Sequence, residues 1–494
     1  MPSGAGQAYL RHPDRFFIGG RWVEPSSTAR IDVRDSATEE VFLSVAEAQV
    51  DDVDRAVRAA REAFDDGPWP RMTHAERAEW LEKIATAWAT KVDAFAQTWT
   101  RESGVLHTLA QRAVKHGPPN TFRVHAGFAE TFPWTEPHVS QDGKRSLLVR
   151  EPVGVVGAII PWNAPNSLVA QKTAAALISG CTVIVKGSPE APSAPYLLAE
   201  ICEEIGLPDG VYNVLTAERE VSERLVTNPG VDKISFTGST AAGRRIASIC
   251  GERIARCTLE LGGKSPAIIL DDYDLDTAAK SLAQSALMMN GQVCSSLTRL
   301  IVSKERHDDF VDALAARLGR MKVGDPFDES SRVGPLAMAR QRDTVEGYIA
   351  KGREEGVRIA TGGARPAHLD RGYYVEPTVF AGADNDSTVA REEIFGPVLT
   401  VIPAESEEHA IEIANDTNYG LNSSVFTNDP ERAYAVGRRI RAGTVGHNAF
   451  KTDFSISFGG FKQSGIGREG GTEGLHPFLE AKTMIFDEPA KAES

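Results

Sequence analysis

The sequence predicts an α/β protein built on parallel strands, and three observations carry that reading. Amphipathic helical segments alternate along the chain with short apolar runs rich in β-branched residues. Those runs close at Gly or Pro. The chain also has material for large cores: 494 residues, 41% hydrophobic and 25% charged. That length fits about two to four domains of roughly 100–200 residues each.

Taken in order, the N-terminus MPSGAGQAYLRHPDRFF lacks the apolar run of a signal peptide. The stretch VDDVDRAVRAAREAF (50–64) puts Val53, Val57, Ala60 and Phe64 on one helical face. Leu81, Ile84, Ala85 and Trp88 do the same in the next helix. The runs VGVVGAIIP (153–161), TVIVKG (182–187), VDKISFTGS (231–239) and PAIIL (266–270) are short and uniformly apolar, the pattern of parallel strands buried on both faces. Between Thr131 and Val149 the pattern turns extended, with Asp142-Gly143 as a hairpin turn. No internal repeat or low-complexity linker is visible, so the domains are expected to interleave.

The charge and cysteine content exclude several functions. With 54 Lys and Arg against 68 Asp and Glu, the net charge is −14, which opposes a nucleic-acid partner. No segment reaches the roughly 18 apolar residues of a membrane helix, so no membrane partner is expected. Five cysteines form no CxxC pair and no zinc-ligand cluster, which predicts no metal site and a reducing, cytoplasmic location.

Three segments carry candidate chemistry. Cys181, Cys202, Cys250 and Cys257 sit in apolar or helical segments and read as structural thiols. Cys294, in MMNGQVCSS, has glycine and small polar neighbours that let backbone amides approach its sulfur. Such a thiolate can attack a carbonyl, although the residues alone leave it open between nucleophile and filler. In LELGGKSP (259–266), Glu260 stands between two leucines and before Gly262-Gly263, so desolvation would raise its pKa towards that of a working base. The alternative is a surface glutamate at a turn. In PWNAP (161–165), Asn163 follows a strand end and reads either as a plain turn residue or as an oxyanion donor.

These segments resemble, closely and in order, the aldehyde dehydrogenase superfamily. PWNAP, VIVKGSPE, FTGS, LELGGKSP, GQVC, EEIFGPV and FGGFKQSGIGRE (458–469) match at compatible spacing, and the resemblance runs from FFIGGRWVEP (16–25) onward over nearly the whole chain. It implies an α/β fold with a Rossmann-like cofactor domain (1–133 and 153–258), an α/β catalytic domain (259–465) and an oligomerisation element (134–152 and 478–488). It also implies NAD(P)-dependent, hydrolytic oxidation of an aldehyde to its acid. By this resemblance Cys294 is the nucleophile that forms a thiohemiacetal and then a thioester. Asn163 with the Cys294 N–H is the oxyanion hole, and Glu260 activates the hydrolytic water. Lys172 and Glu469 match positions linked to proton relay. For the cofactor, Lys186 matches the adenosine-ribose lysine, Ser239 lies at a helix start suited to pyrophosphate, and Glu393 and Phe395 match the nicotinamide-ribose side. Ile159, Trp162, Gly238 and Leu261 match further cofactor positions.

Departures from the family pattern bear on what stays open. Many NAD-preferring members carry glutamate three residues after the lysine, where this chain has Pro189, followed by Glu190. Glu218 and Ser222 replace glycines near the pyrophosphate helix; Glu218 argues against an extra phosphate and Arg219 for one. NAD is favoured, with room left for NADP. Gly465–Gly470 satisfies GxGxxG, but no strand leads into it in a βαβ unit, so it is not the dinucleotide site. The pocket wall is read as Ala164, Ser167, Leu168, Gln171, Val293, Ser295, Phe450, Phe454 and Ile456, which points to a medium or bulky apolar aliphatic, terpenoid or aromatic aldehyde. A CoA-acylating enzyme and a catalytically silent cofactor-binding protein are the alternatives; the presence of Glu260 opposes the first, and Cys294, Glu260 and Asn163 together oppose the second. An exposed edge in FLEAKTMIFDE (478–488) predicts a homodimer or homotetramer.

Overall fold

Two largely parallel sheets organise the chain, and residues 261–264 pass from the last parallel strand of one to the first strand of the other. The computed structural model describes residues 9–489. Residues 1–8, which open both the first expected domain and the segment read as lacking a targeting signal, lie outside the described residues.

The first sheet has eight strands in the order Gly465–Ile466, Arg256–Glu260, Lys233–Thr237, Val155–Ile159, Thr182–Gly187, Tyr212–Thr216, Phe16–Ile18, Arg21–Val23. Its five central strands are parallel and its edges antiparallel. The runs expected to be strands at 153–161, 182–187 and 231–239 each contribute a strand here, and every residue of those three strands is buried. Burial on both faces follows from side-chain alternation: Val156, Ala158, Val183 and Val185 join one apolar cluster, while Val155, Ile159 and Ile184 join the other. Strand order reverses between Val155–Ile159 and Lys233–Thr237, neighbours in space but not in sequence. In open α/β sheets a crevice forms beyond the carboxyl ends at such a switch point.

The second sheet runs Arg358–Thr361, Thr378–Ala381, Val398–Ala404, Leu297–Ser303, Ser265–Ile269, Ser424–Phe426, Gly446–His447, with only its first pair antiparallel. The predicted helices are present as Val50–Asp65 and His74–Trp88; Leu81, Ile84, Ala85 and Trp88 are fully buried. The Asp142-Gly143 turn joins strands Thr135–Val139 and Lys144–Pro152, with Gly143 at φ 79°. Against that hairpin lies the tail strand Leu479–Pro489, antiparallel to Lys144–Pro152, which completes a three-stranded sheet. The GxGxxG segment is a two-residue edge strand antiparallel to Arg256–Glu260, which removes it from any βαβ unit. A hairpin of Arg30–Arg34 and Val41–Ala46 adds a small fourth sheet.

Arg299 fixes the crossover between the two large sheets. It is fully buried, and its Nε donates to Lys264 O at 2.9 Å while its terminal nitrogens donate to Ile413 O at 2.8 Å, Ala414 O at 2.9 Å and Asn385 Oδ1 at 2.9 Å. Arg299→Met strips donors from several buried carbonyls at once. The expected outcome is a loss on the order of 3–5 kcal/mol, read as a lowered thermal midpoint.

Candidate active site

A cavity of about 420 Å³ lies beyond the carboxyl ends of the first sheet, with Pro161–Ala164, Thr237–Ser239 and Glu260–Gly262 on one side and Met288, Met289 and Val293–Ser295 on the other. Its position is that of the switch-point crevice.

Cys294 reaches it through a kinked turn. Met289, Asn290 and Gly291 all have left-handed backbone, at φ 50°, 59° and 78°. Side chains stabilise this conformation, which disfavours most L-residues by about 1–3 kcal/mol each. Asn290 Nδ2 donates to Gly104 O and Pro335 O, both at 2.8 Å, and Asn290 Oδ1 accepts from Gly334 N at 2.7 Å. Gln292 Nε2 donates to Ser103 O at 3.0 Å and its Oε1 accepts from Ala337 N at 2.9 Å. Gly291 must be glycine because a Cβ there would come within 2.2 Å of Gly396 O. The turn leaves Cys294 half-buried at the cavity wall. Burial and the carboxylates of Glu393 and Glu260 push its thiol up to about 12, partly offset by the Ser295 and Cys294 backbone N–H groups.

Helix Val92–Ser103 holds the PWN turn from behind. Trp99 Nε1 donates to Asn163 O at 2.8 Å and Ser103 Oγ to Trp162 O at 2.6 Å. The Asn163 amide donates to Gln292 O at 3.0 Å, which ties the turn to the Cys294 segment. A primary amide carries two N–H bonds, so one remains for a ligand in the cavity that Asn163 and Cys294 share.

Glu260 ends its strand at the cavity, buried, with neither carboxylate oxygen hydrogen-bonded within the described structure. Desolvation, then repulsion from Glu469, raises its pKa well above the ordinary carboxylate range; Lys172 and Arg468 oppose this. Bare backbone flanks it, since a Cβ on Gly459 would come within 2.7 Å of Glu260 Oε1. Glu469 also lines the cavity. Behind it Lys172, 1% exposed, forms a buried ion pair with Glu469 and donates to Ser235 Oγ at 3.1 Å.

Most of the expected cofactor residues converge on the same cavity. Trp162, Gly238, Ser239, Leu261, Glu393 and Phe395 line it. Ile159 and Lys186 stand just below as register partners on adjacent strands. Burial lowers Lys186 to about 8, with Glu190 and Glu218 pulling the other way. Glu190 is itself held by Ser188 and, at 2.8 Å, by Arg340. Ser222 turns its hydroxyl back onto Ala217 O and Glu218 O. Ser239 caps helix Thr240–Arg253, and the buried hydroxyls of Thr237 and Thr240 have no partner among the described residues, so donors and a helix N-terminus are available to an anionic ligand. Glu393 lies against Gly262, where a Cβ would fall 1.9 Å from its Oε2, and accepts from Gly263 N at 3.2 Å. Burial raises it to about 7. Phe395, at φ 58°, meets Trp162 edge-on at 5.4 Å. These residues fit a dinucleotide with a diol near Glu393.

Of the expected pocket wall, Ala164, Ser167, Leu168, Val293, Ser295, Phe450 and Phe454 line the cavity. Gln171 and Ile456 do not: Gln171 is buried within helix Pro165–Ser179, and Ile456 is 69% exposed. Sequence reasoning missed Met288, Met289, Thr452 and Phe458 as wall residues. It missed Gln341 too, whose amide holds Phe395 O at 2.8 Å. Two adjacent methionines before GQVC were the available signal for part of this wall. Gln341 had none.

A family model described as the aldehyde dehydrogenase family matches residues 22–484. Geranial dehydrogenase of Castellaniella defragrans is 43% identical over 95% of this chain and 98% of its own length. A 3-succinoylsemialdehyde-pyridine dehydrogenase from a Pseudomonas species is 40% identical over 96% of this chain and 99% of its own. The crystal structure of a Mycobacterium tuberculosis aldehyde dehydrogenase complexed with NAD+ superposes with a TM-score of 0.95 at 43% identity, covering 97% of this chain and 99% of that one.

The kinked turn yields its own test. Asn290→Ala removes both the left-handed tolerance of Asn and the side chain that pins three backbone groups. It should cost about 2–4 kcal/mol and speed hydrogen–deuterium exchange across 288–295; unchanged exchange there would contradict the assigned role of Asn290.

Proposed function

The chain belongs to the aldehyde dehydrogenase family, and we propose that it oxidises an apolar aldehyde to the carboxylic acid with NAD+, through a thioester on Cys294 that water hydrolyses. The observation that carries this reading is the meeting of a thiol, an amide donor and a buried, unpartnered carboxylate in one cavity. Cys294 attacks as the thiolate. Burial pushes its thiol up, and the proton is released to solvent before attack, which leaves Glu260 unprotonated for the hydrolytic step. Charge then develops on the aldehyde oxygen, where Asn163 Nδ2 and the Cys294 N–H stand as fixed donors. Bound NAD+ would supply the hydride acceptor for that oxidation. Lys186, Ser239 and Glu393 would hold its two ends, with Ile159, Trp162, Gly238, Leu261 and Phe395 around it; NADP is the weaker option, as Glu218 opposes a further phosphate. Glu260 next takes a proton from the attacking water, and Lys172 and Glu469 carry that proton onward. A base retained beside the thioester favours water over CoA as its acceptor.

The wall supports a medium or bulky apolar aldehyde. Leu168, Met288, Met289, Val293, Phe450 and Phe454 face the cavity, with Phe454 stacked on Phe458 at 4.4 Å. A terpenoid is favoured by the 43% identity to geranial dehydrogenase. In this reading residues 1–133 and 153–258 form the cofactor domain and 259–465 the catalytic domain. The element 134–152 with 478–488 pairs subunits in a homodimer or homotetramer, its tail strand exposing Met484 and Ile485. The free thiols suit a reducing cytoplasm, and no helix among the described residues is long and apolar enough to cross a membrane.

Two outcomes follow. Glu260→Gln should give a burst of NADH and then turnover slowed by about 10²-fold or more. In the parent enzyme kcat should climb with pH through a range above that of ordinary carboxylates, because the base works only when deprotonated and its pKa is raised; unchanged steady-state rates in the variant would rule out Glu260 as the base. Separately, initial rates with NAD and NADP over an aldehyde panel should show kcat/KM for geranial or a long aliphatic aldehyde exceeding that for acetaldehyde by roughly 10-fold to 200-fold. A preference for acetaldehyde would defeat the apolar-substrate reading.

A further inference from the structure

Beneath helix Thr240–Arg253 two cysteines meet on the face of the first sheet that Glu260 does not share. Side chains alternate along strand Arg256–Glu260, so Cys257 and Leu259 point to one face, Thr258 and Glu260 to the other. Leu259 belongs to the apolar cluster that holds Ile246, Ile249 and Cys250 of the helix, and Cys257 packs against that cluster. Its register partner Ile234 lies in the same cluster. On the helix, Gly243, Ile246, Ile249 and Cys250 form the buried face. Local sequence alone assigns both cysteines to packing; their meeting appears only once the helix is laid on the strand.

The turn between them holds the two close. The helix ends on Ile254, left-handed at φ 55° and 82% exposed, an unfavourable conformation for a β-branched residue. Ala255 N donates back to Cys250 O at 2.8 Å, which returns the chain to the level of Cys250 just before the strand begins. The Cys250 thiol donates a hydrogen bond to the Cys257 sulfur. Cys250 is 1% exposed and Cys257 half-buried, so Cys257 is the one a solute can reach. The bond from Cys250 lowers Cys257 to about 7; burial opposes this and Lys233 adds to it. Burial acts the other way on the remaining structural thiols, pushing Cys181 up to about 11 and Cys202 higher still.

We propose that Cys250 and Cys257 form a second reactive thiol site, separate from Cys294, that reduces a hydroperoxide and closes a disulfide. Cys257, its proton already in solvent, attacks the peroxide as the thiolate: an S–O bond forms, the O–O bond breaks, and hydroxide leaves. That hydroxide takes the proton of Cys250 and becomes water. The Cys250 thiolate then attacks the Cys257 sulfur; an S–S bond forms, the S–O bond breaks, and the second hydroxide recovers the solvent proton. Two thiols and one peroxide become one disulfide and two waters, and both electrons come from the sulfur pair. The bridge ties the helix that begins at Ser239 to the strand that ends at Glu260, at the end of each that lies away from the cavity. Nothing in this chemistry draws on the role proposed for Cys294.

The test takes the full-length enzyme, reduced, exposed to hydrogen peroxide, alkylated and cut with trypsin. Cleavage after Arg245, Arg253, Arg256 and Lys264 leaves the two sulfurs in separate peptides, 246–253 and 257–264. A bridge joins these into one species, lighter by two hydrogens than their sum and split by dithiothreitol. The expected result is that this species takes up most of the pair while Cys181 and Cys202 stay reduced. Before oxidation, alkylation of Cys257 at neutral pH should outpace that of Cys202 by about tenfold or more. In Cys250→Ala the linked species should vanish and Cys257 should stop at the sulfenic acid, captured with dimedone. Oxidation confined to other thiols, or alkylation of Cys257 no faster than that of Cys202, would overturn the proposal. So would equal dimedone capture of Cys257 in the parent and in Cys250→Ala, which would deprive Cys250 of its part in closing the bond. If Cys250→Ala does not fold, the parent decides alone: the linked species upholds the pair and its absence removes it.

Discussion

A buried carboxylate with no hydrogen-bond donor from the described residues is the constraint on which the rest of this structure depends. Glu260 sits 2% exposed with two unpartnered oxygens. Leaving a polar group in that state costs several kcal/mol relative to water, more when it is ionised. The fold tolerates it because the strand beneath is locked between a parallel neighbour and an antiparallel edge strand. Backbone bonds from Gly238 N to Glu260 O at 3.0 Å and from Leu261 N to Ser464 O at 2.9 Å clamp the strand end on both sides.

The same economy of space explains the glycines around it. Gly262 gives way to Glu393, Gly459 to Glu260 and Gly291 to the Gly396 carbonyl, and in each case a methyl group would occupy the volume of a polar atom. Backbone therefore forms much of the inner wall, which brings amide dipoles close to any ligand while adding no side-chain freedom. The strained turn before Cys294 serves the same end: its left-handed residues cost energy locally, and Asn290 and Gln292 offset it through bonds to two separate segments of the chain, 103–104 and 334–337.

Much of this was legible in the sequence because the elements that carry the site obey local rules. Buried parallel strands announce themselves as unbroken β-branched runs, and Asp142-Gly143 marks its hairpin by turn chemistry. What was hidden depends on contacts made far away in the chain. Helix His107–Thr131 contains Pro118 and Pro119, which local propensity would set against a helix; packing decides instead, since both prolines are buried. Gln341 belongs to an ordinary amphipathic helix and matters only because Phe395 happens to lie within reach. Ile456 looks like pocket wall by composition yet points outward, as nothing in its neighbourhood fixes the direction of a loop.

Apolar walls and perturbed titration are one property of this cavity rather than two. Leu168, the two methionines and the phenylalanines make an apolar wall around the space that Glu260 and Cys294 face, and desolvation is the leading cause of the upward shift of both groups. A bulky apolar aldehyde that fills the space removes still more water and strengthens every local electrostatic interaction. A small polar aldehyde leaves water beside the carboxylate and weakens the same effect. Substrate size and the strength of the base are thus coupled through hydration: under the proposed function, the chain's preference for an apolar substrate should register in the deacylation step as well as in binding. The global charge of −14 has little part in this, because the fields that matter come from Lys172, Glu469 and backbone dipoles close to the carboxylate.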